Sequence, residues 1–313
     1  MTTIGSSDLD VFPINLGGNT FGWTSDAAAS ERVLDAFVGA GGNFIDTADG
    51  YSAWVPGNSG GESETIIGSW MAARGNRAKL VIGTKVSQHP DYKGLAASNI
   101  AAAADASLGR LQTDYIDLYY AHFDDESLPI AEIAGAFDAL VKAGKIRYVG
   151  ISNFSAARIQ EWMSTAKKEG LALPVALQPH YNLVAREPYE STLAPVVAEH
   201  GLGVLPYSSL ASGFLTGKYR TEADLAGKPR GQGAGRYLND RGLDVLAQLE
   251  SVSIEQGASI ASTALAWLLA RPGVVAPIAS ATSTEQLGDL TAATALQLNS
   301  KDIELLDSVS AAR

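Results

Sequence analysis

Short apolar runs rich in valine, isoleucine and tyrosine alternate with longer segments of helical spacing along all 313 residues of the chain. The runs fall at residues 12–16, 43–48, 80–86, 115–121, 147–152, 174–178, 203–207 and 274–278. Strands that are apolar at nearly every position are buried on both faces, as in a parallel sheet covered by helices. Between the runs lie segments such as Ile130, Ile133, Phe137, Leu140 and Val141, whose spacing puts them on one helix face able to cover such a sheet. Eight strand and helix units in succession predict an α/β fold of the closed (β/α)8 TIM barrel type, one domain spanning residues 1–313. An open, doubly wound sheet is the competitor, but no GxGxxG follows the first run.

Composition narrows the partners. The chain is 46% hydrophobic, enough for a large core, and its net charge of −11 leaves no basic stripe for nucleic acid or anionic lipid. Any phosphate must then be gripped by local groups. With no cysteine present, disulfides, thiolate metal sites and cysteine nucleophiles are excluded. No segment approaches the roughly 18 uninterrupted apolar residues of a membrane span, and no signal-peptide pattern follows Met1. A cytoplasmic protein with a small-molecule partner is expected; oligomeric state leaves no mark in the sequence.

In a barrel of this type, reactive groups sit at the C-terminal ends of strands and in the loops that follow. Asp46 ends the second run, Lys85 lies near the end of the third, His122 follows the fourth, Ser152 and Asn153 end the fifth, and Gln178 ends the sixth. Singly, each has an ordinary reading: a turn cap for Asp46, a solvated charge for Lys85, a satisfied histidine for His122. Three neighbouring strands presenting ionisable groups at one end favour a joint role. Tyr51 follows Asp46 by five residues in FIDTADGYS. A free phenol titrates near 10, and a nearby ammonium favours its ionised form, so Lys85 is expected to lower Tyr51 while Asp46 holds Lys85 charged. Neutral His122 can donate to a developing oxyanion or help move its proton. Such a set protonates a carbonyl oxygen. No side chain here is an evident nucleophile, so the attacking species is expected to be a cofactor's hydride. Two long connections, residues 52–61 and 208 to about 240, are further places to look for function.

The motifs LGGNTFG, FIDTADGYS, the SExxxG of Ser63 to Gly68, IGTKV, LGRLQTDYIDLYYAH, GKIRYVGISNF, ALQPHYNL and LPYSSLASGFLTGKY follow one another in this order. In them the chain resembles the aldo-keto reductase superfamily over nearly its whole length. The resemblance implies a barrel that binds an extended nicotinamide dinucleotide without a Rossmann domain and transfers hydride to an aldehyde or ketone. It implies that Tyr51 is the general acid, Lys85 its pKa-lowering partner, Asp46 the partner of Lys85, and His122 the orienting group. Ser152, Asn153 and Gln178 resemble the residues that hold the carboxamide, and Tyr207 the aromatic residue that stacks on the nicotinamide. Thr20 and Phe21 match first-loop cofactor contacts. Ser208, Leu210, Gly213, Leu215 and Lys218 match a loop that folds over the pyrophosphate.

The chain departs from that pattern in PIASATSTEQLGDL, residues 277–290, where many relatives carry a cation for the 2'-phosphate of NADP. Ser280, Thr282 and Gln286 are present instead, with Leu290 where an asparagine is frequent. Lys218, Arg220, Arg230 or Arg236 is then expected to supply the charge. NADP(H) is the expected cofactor, with NAD(H) as the alternative. Trp23, Trp54 and Phe123, with Tyr92 or His89, are candidates to line the substrate mouth beside Tyr51 and His122. The segment after residue 300 reads as one short amphipathic helix without a long substrate loop, which predicts an open site. Two rival readings remain. One is a cofactor-binding regulatory subunit similar to the potassium channel beta subunits, disfavoured by the nearly pure barrel pattern. The other is a metal-assisted hydrolase using Asp46, His89, His122 and His180, disfavoured by the lysine beside His122.

Overall fold

The computed structural model describes residues 1–311. A short antiparallel pair, β1 (Thr2–Thr3) and β2 (Asp10–Val11), precedes β3 (Asn15–Gly17), β4 (Phe44–Asp46) and β5 (Val81–Val86). A second small pair, β6 (Gln88–His89) and β7 (Tyr92–Lys93), precedes β8 (Ile116–Ala121), β9 (Ile146–Ser152), β10 (Pro174–Gln178), β11 (Gly203–Val204) and β12 (Ile278–Ala279). The eight larger-sheet strands are parallel and run in the order β11, β10, β9, β8, β5, β4, β3, β12. The ends of this sheet meet: Val275 N donates to Val204 O at 2.9 Å and Ile278 N to Pro206 O at 2.8 Å. The (β/α)8 expectation therefore holds.

Proline interrupts three of the apolar runs, and the strands there are short or displaced. Pro13, Pro206 and Pro277 have no N–H to give the ladder. Pairing resumes around them, as where Leu205 N and Tyr207 N donate to Leu177 O and Pro179 O, each at 2.9 Å. At the end where the strands begin, Ile4, Leu9 and Val11 from the β1–β2 pair pack with Phe44, Val81 and Val175 and plug the barrel. The other end is left open for polar groups.

The helices are α1 (Ala27–Gly39), α2 (Glu62–Arg74), α3 (Ala97–Leu111), α4 (Ile130–Lys142), α5 (Ala156–Glu169), α6 (Ala194–His200), α7 (Glu222–Leu225), α8 (Gly231–Gly235), α9 (Asp240–Gln256), α10 (Ile260–Leu269), α11 (Thr284–Ala292) and α12 (Ser300–Ser310), of which the short α7 and α8 belong to the long seventh loop. Their starts are set by side chains that satisfy free N–H groups: Asp26, Ser155, Asn239, Ser259, Ser283 and Asn299 each accept from a backbone N–H of the first turn. Ile130, Ile133, Phe137 and Leu140 of α4 are buried as the spacing predicts, with Val141 half-buried at the edge of the stripe. Gly68 lets α2 lie against α3, because a Cβ there would meet Arg110 O at 2.2 Å. Among the described residues, no helix is long and apolar enough to cross a membrane.

Candidate active site

Register brings the ionisable groups together. Asp46 pairs with Gly83 across β4 and β5, and Lys85 pairs with Tyr120 across β5 and β8. Because alternate residues face alternate sides, the side chains of Asp46 and Lys85 both point to the barrel axis. Lys85 Nζ donates to Asp46 Oδ2 at 2.6 Å, to Thr47 O at 2.7 Å and to Tyr51 Oη at 3.1 Å. All three ammonium protons are thus used. Gln178 Nε2 donates to the other carboxylate oxygen of Asp46 at 2.9 Å. The pair is sealed from water, Lys85 being 0% and Asp46 1% exposed.

Burial alone works against the charge of Lys85, but Asp46 and then Tyr51 more than offset it and hold the amine above its ordinary value. Tyr51 corrects the sequence-based expectation. Burial raises its phenol, Lys85 pulls it down and Asp46 pushes it up again, and the net shift is upward. Burial is the decisive factor, and it has no signature in FIDTADGYS. His122, whose ring lies 6.2 Å from that of Tyr51, is held well below the ordinary histidine value by burial and then by the charge of Lys85. Its Nδ1 is buried without a partner among the described residues. The imidazole is therefore neutral at physiological pH.

The neighbouring strand ends form a rigid polar frame. Ser152 Oγ donates to Gln178 O at 2.8 Å; Asn153 Nδ2 donates to His122 O at 2.8 Å; Tyr207 Oη donates to Asn153 Oδ1 at 2.8 Å. Asn153 adopts φ 55°, a left-handed conformation that asparagine tolerates better than most residues and that turns its amide toward this frame.

A cleft of about 790 Å³ extends from Tyr51 across the barrel mouth. It is lined by Trp23, Asp46, Tyr51, His122 and Phe123 together with Asn153, Gln178 and Tyr207. The same lining takes in Thr20, Ser208, Leu210, Gly213, Lys218, Ser280, Thr282, Gln286 and Leu290. Several expected residues stand elsewhere. Phe21 and Leu215 are fully buried in the outer core, so neither side chain faces the cleft. Ser152 and Lys85 lie behind the lining and act on it through Gln178 and Tyr51. Trp54 is 52% exposed and stands at the rim, edge-on to Trp23 at 5.5 Å and to Tyr51 at 6.3 Å. The rings of His89 and Tyr92 meet at a tilt of 45° with centroids 5.1 Å apart and line a separate groove beside Gly60. Among the described residues, no three histidine, aspartate or glutamate side chains are grouped to hold a metal ion.

Of the four loop cations expected to supply charge, Lys218 and Arg230 line the cleft. Arg220 pairs with Glu250 at 2.9 Å, and Arg236 does not reach the lining. Lys228 lines the cleft as well and escaped the sequence reading, although it sits beside Arg230 in the run GKPR. Asn19 was also missed; its Oδ1 accepts from Ser280 Oγ at 2.6 Å and from Arg230 Nη2 at 3.2 Å and so ties the first loop to the seventh. Among the described residues, no carboxylate forms an ion pair with Lys218, Lys228 or Arg230.

The result is a parallel barrel that holds one phenol over a buried ion pair at its C-terminal mouth. The chain belongs to the aldo/keto reductase family, whose model matches residues 13–311. It is similar to a probable voltage-gated potassium channel subunit beta of rice, 34% identical with 91% of this chain and 88% of the relative covered. It is similar to the uncharacterised oxidoreductase YrpG of Bacillus subtilis, 34% identical over 98% of this chain and 95% of the relative. An aryl-alcohol dehydrogenase [NADP(+)] of Phanerodontia chrysosporium is 33% identical over 89% of this chain and 77% of its own length.

Proposed function

We propose that this chain is an oxidoreductase that moves hydride between a nicotinamide dinucleotide and a carbonyl or alcohol substrate, with Tyr51 as general acid and base. One observation carries the reading: the amine of Lys85 touches both Asp46 Oδ2 and Tyr51 Oη inside the barrel, and the same Tyr51 lines the cleft. A phenol that keeps its proton at neutral pH is an acid in waiting. When that proton passes to the substrate oxygen, the phenolate left behind faces the ammonium of Lys85, which Asp46 keeps charged and in place. His122, being neutral, can donate a hydrogen bond to the substrate oxygen without competing with Lys85 for charge.

The residues present fit a dinucleotide. The cleft volume falls within the range of small-molecule sites. Asn153 and Gln178 offer amide groups to a carboxamide, and Tyr207 offers a ring. The cleft lining holds three cations without carboxylate partners in a chain of net charge −11, an arrangement that suits phosphates. When bound, the cofactor supplies or removes the hydride at the substrate carbon. We propose NADP(H) rather than NAD(H), because Lys218, Lys228 and Arg230 provide the charge that residues 280–290 lack. The aryl-alcohol dehydrogenase relative, whose name specifies NADP(+), supports this choice. The relative named as a probable channel subunit favours a second reading, a non-catalytic NADPH-binding regulatory subunit.

Mixing the protein with NADPH or NADH and a panel of aldehydes, ketones and sugars, and following loss of nicotinamide absorbance, separates the two. Consumption that disappears in Tyr51→Phe is expected. Binding of cofactor without consumption by any carbonyl would support the regulatory reading instead.

A further inference from the structure

Tyr207 is braced from behind. The imidazole of His180 lies 14° from parallel to its ring with centroids 5.3 Å apart, an offset stack. The backbones of the two residues form a bridge, and Tyr207 N donates to Pro179 O at 2.9 Å, so the two rings project from adjacent strand ends with a common bearing. His180 is itself anchored, its Nε2 lying 3.2 Å from Tyr237 Oη. The phenol tip of Tyr207 is pinned separately by its bond to Asn153. Burial, and then the charge of Arg236, keep His180 below the ordinary histidine value, so the stacked ring is neutral. Tyr207 lines the cleft, while nothing in the proton-transfer set requires a ring at position 180.

We propose that His180 is a positioning residue for the redox site: it is the plate that fixes the plane of Tyr207, so that the ring face left to the cleft is ready for a nicotinamide. The proposal rests on the reading of the cleft as a nicotinamide site. Its physical basis is preorganisation. A ring already held on one face and at its tip loses little further freedom when a second ring stacks on it, whereas an unbraced Tyr207 would be ordered by the ligand at the ligand's expense. His180 would then act on cofactor affinity more than on the proton transfer at Tyr51.

The test compares His180→Phe, which keeps a flat ring, with His180→Leu, which keeps bulk without one, and with His180→Ala. NADPH affinity is read in the full-length protein by quenching of intrinsic fluorescence. The Leu and Ala variants are expected to bind NADPH roughly 2- to 10-fold more weakly, the range of an aromatic pair, and the Phe variant to bind as the native protein does. Turnover at saturating NADPH is expected to stay within about twofold in all three. A merely structural loss would do the opposite, lowering the active fraction with affinity unchanged. If the Ala variant does not fold, Leu against Phe decides. Equal affinity of Leu and Phe overturns the proposal while leaving the functional reading intact, and failure of the native protein to bind either NADPH or NADH overturns the functional reading itself.

Discussion

Lys85 and Asp46 form an ion pair of 2.6 Å inside the barrel, with neither side chain more than 1% exposed. Two charges taken out of water are rarely a good source of stability, because their desolvation approaches or exceeds the attraction gained. Removing one of them is costly all the same, since the other is left buried and unpaired. Lys85→Met is therefore expected to destabilise the fold by about 3–5 kcal/mol and to abolish turnover. Urea titration of the two proteins measures the first effect. A variant as stable as the native protein would mean that water reaches Asp46 and that the pair is not sealed.

Tyr51→Phe separates chemistry from stability at the same place. The ring stays, Lys85 keeps its bonds to Asp46 and Thr47 O, and what is lost is the 3.1 Å contact with Lys85 and the long 3.5 Å bond that Tyr51 Oη donates to Asp46 Oδ2. Stability is expected to change by no more than about 1 kcal/mol. Carbonyl reduction is expected to fall by at least 10²-fold, the usual contribution of a positioned acid. Retention of most activity would transfer the acid's role to His122 or to solvent.

Asp49 lies two residues before Tyr51 and is fully buried; neither carboxylate oxygen makes a well-formed hydrogen bond among the described residues, although the N–H groups of Gly50 and Ser87 lie near enough to pull its carboxyl down somewhat. Burial and then the charge of Glu64 push its carboxyl up to about 8 from the ordinary 3.8. Glu64 itself is held by Arg110 Nε at 2.7 Å and Thr84 Oγ1 at 2.5 Å. Between the two values the folded chain holds a proton that the unfolded chain has released, so the stability owed to this group is present at acid pH and is lost as pH rises toward 8. Asp49→Asn, which stays neutral, should flatten the melting temperature over that window and exceed the native protein at its alkaline end. Parallel slopes for the two proteins would mean that the N–H groups of Gly50 and Ser87 and the charge of Arg110 close on the ionised form of Asp49 and offset its burial.

The placement of Asp46, Tyr51, Lys85, His122 and Gln178 was legible because it obeys two periodicities at once. Alternation along strands places Asp46 and Lys85 inward, and the strand-end rule places Tyr51, His122 and Gln178 at one mouth. Loops carry no such period. Phe21 and Leu215 sit in the right segments but turn into the outer core, and Trp54 turns outward to the rim. The turn over residues 208–216 places Ser208, Ala211, Ser212 and Gly213 in left-handed conformations, which only Gly213 announces in sequence. Lys228 and Arg230 reach the cleft along that irregular path, so their convergence with Asn19 could not be read from spacing. The direction of the Tyr51 shift was missed for a different reason: the sequence names the charges around a phenol but not the water excluded from it.

Those loop cations carry the last prediction. A 2'-phosphate is a dianion at one end of the cofactor, and NADH lacks it, so a cation dedicated to it should matter to one cofactor only. Arg230 and Lys228 line the cleft without carboxylate partners, and burial first, only partly opposed by the phenols of Tyr219 and Tyr51, holds the guanidinium of Arg230 below its ordinary value. An anion beside it would restore what burial removes. Charge-assisted hydrogen bonds contribute about 1.5–3 kcal/mol, so Arg230→Met and Lys228→Met are each expected to weaken NADPH binding by roughly 10- to 100-fold and to leave NADH binding within about twofold. Fluorescence titration of both cofactors against the native protein and each variant reads the ratio directly. A loss shared equally by NADPH and NADH would move these cations to the pyrophosphate common to both, and discrimination would then have to come from Ser280, Thr282 and Gln286, whose neutral groups recognise a phosphate by shape and hydrogen bonds rather than by charge.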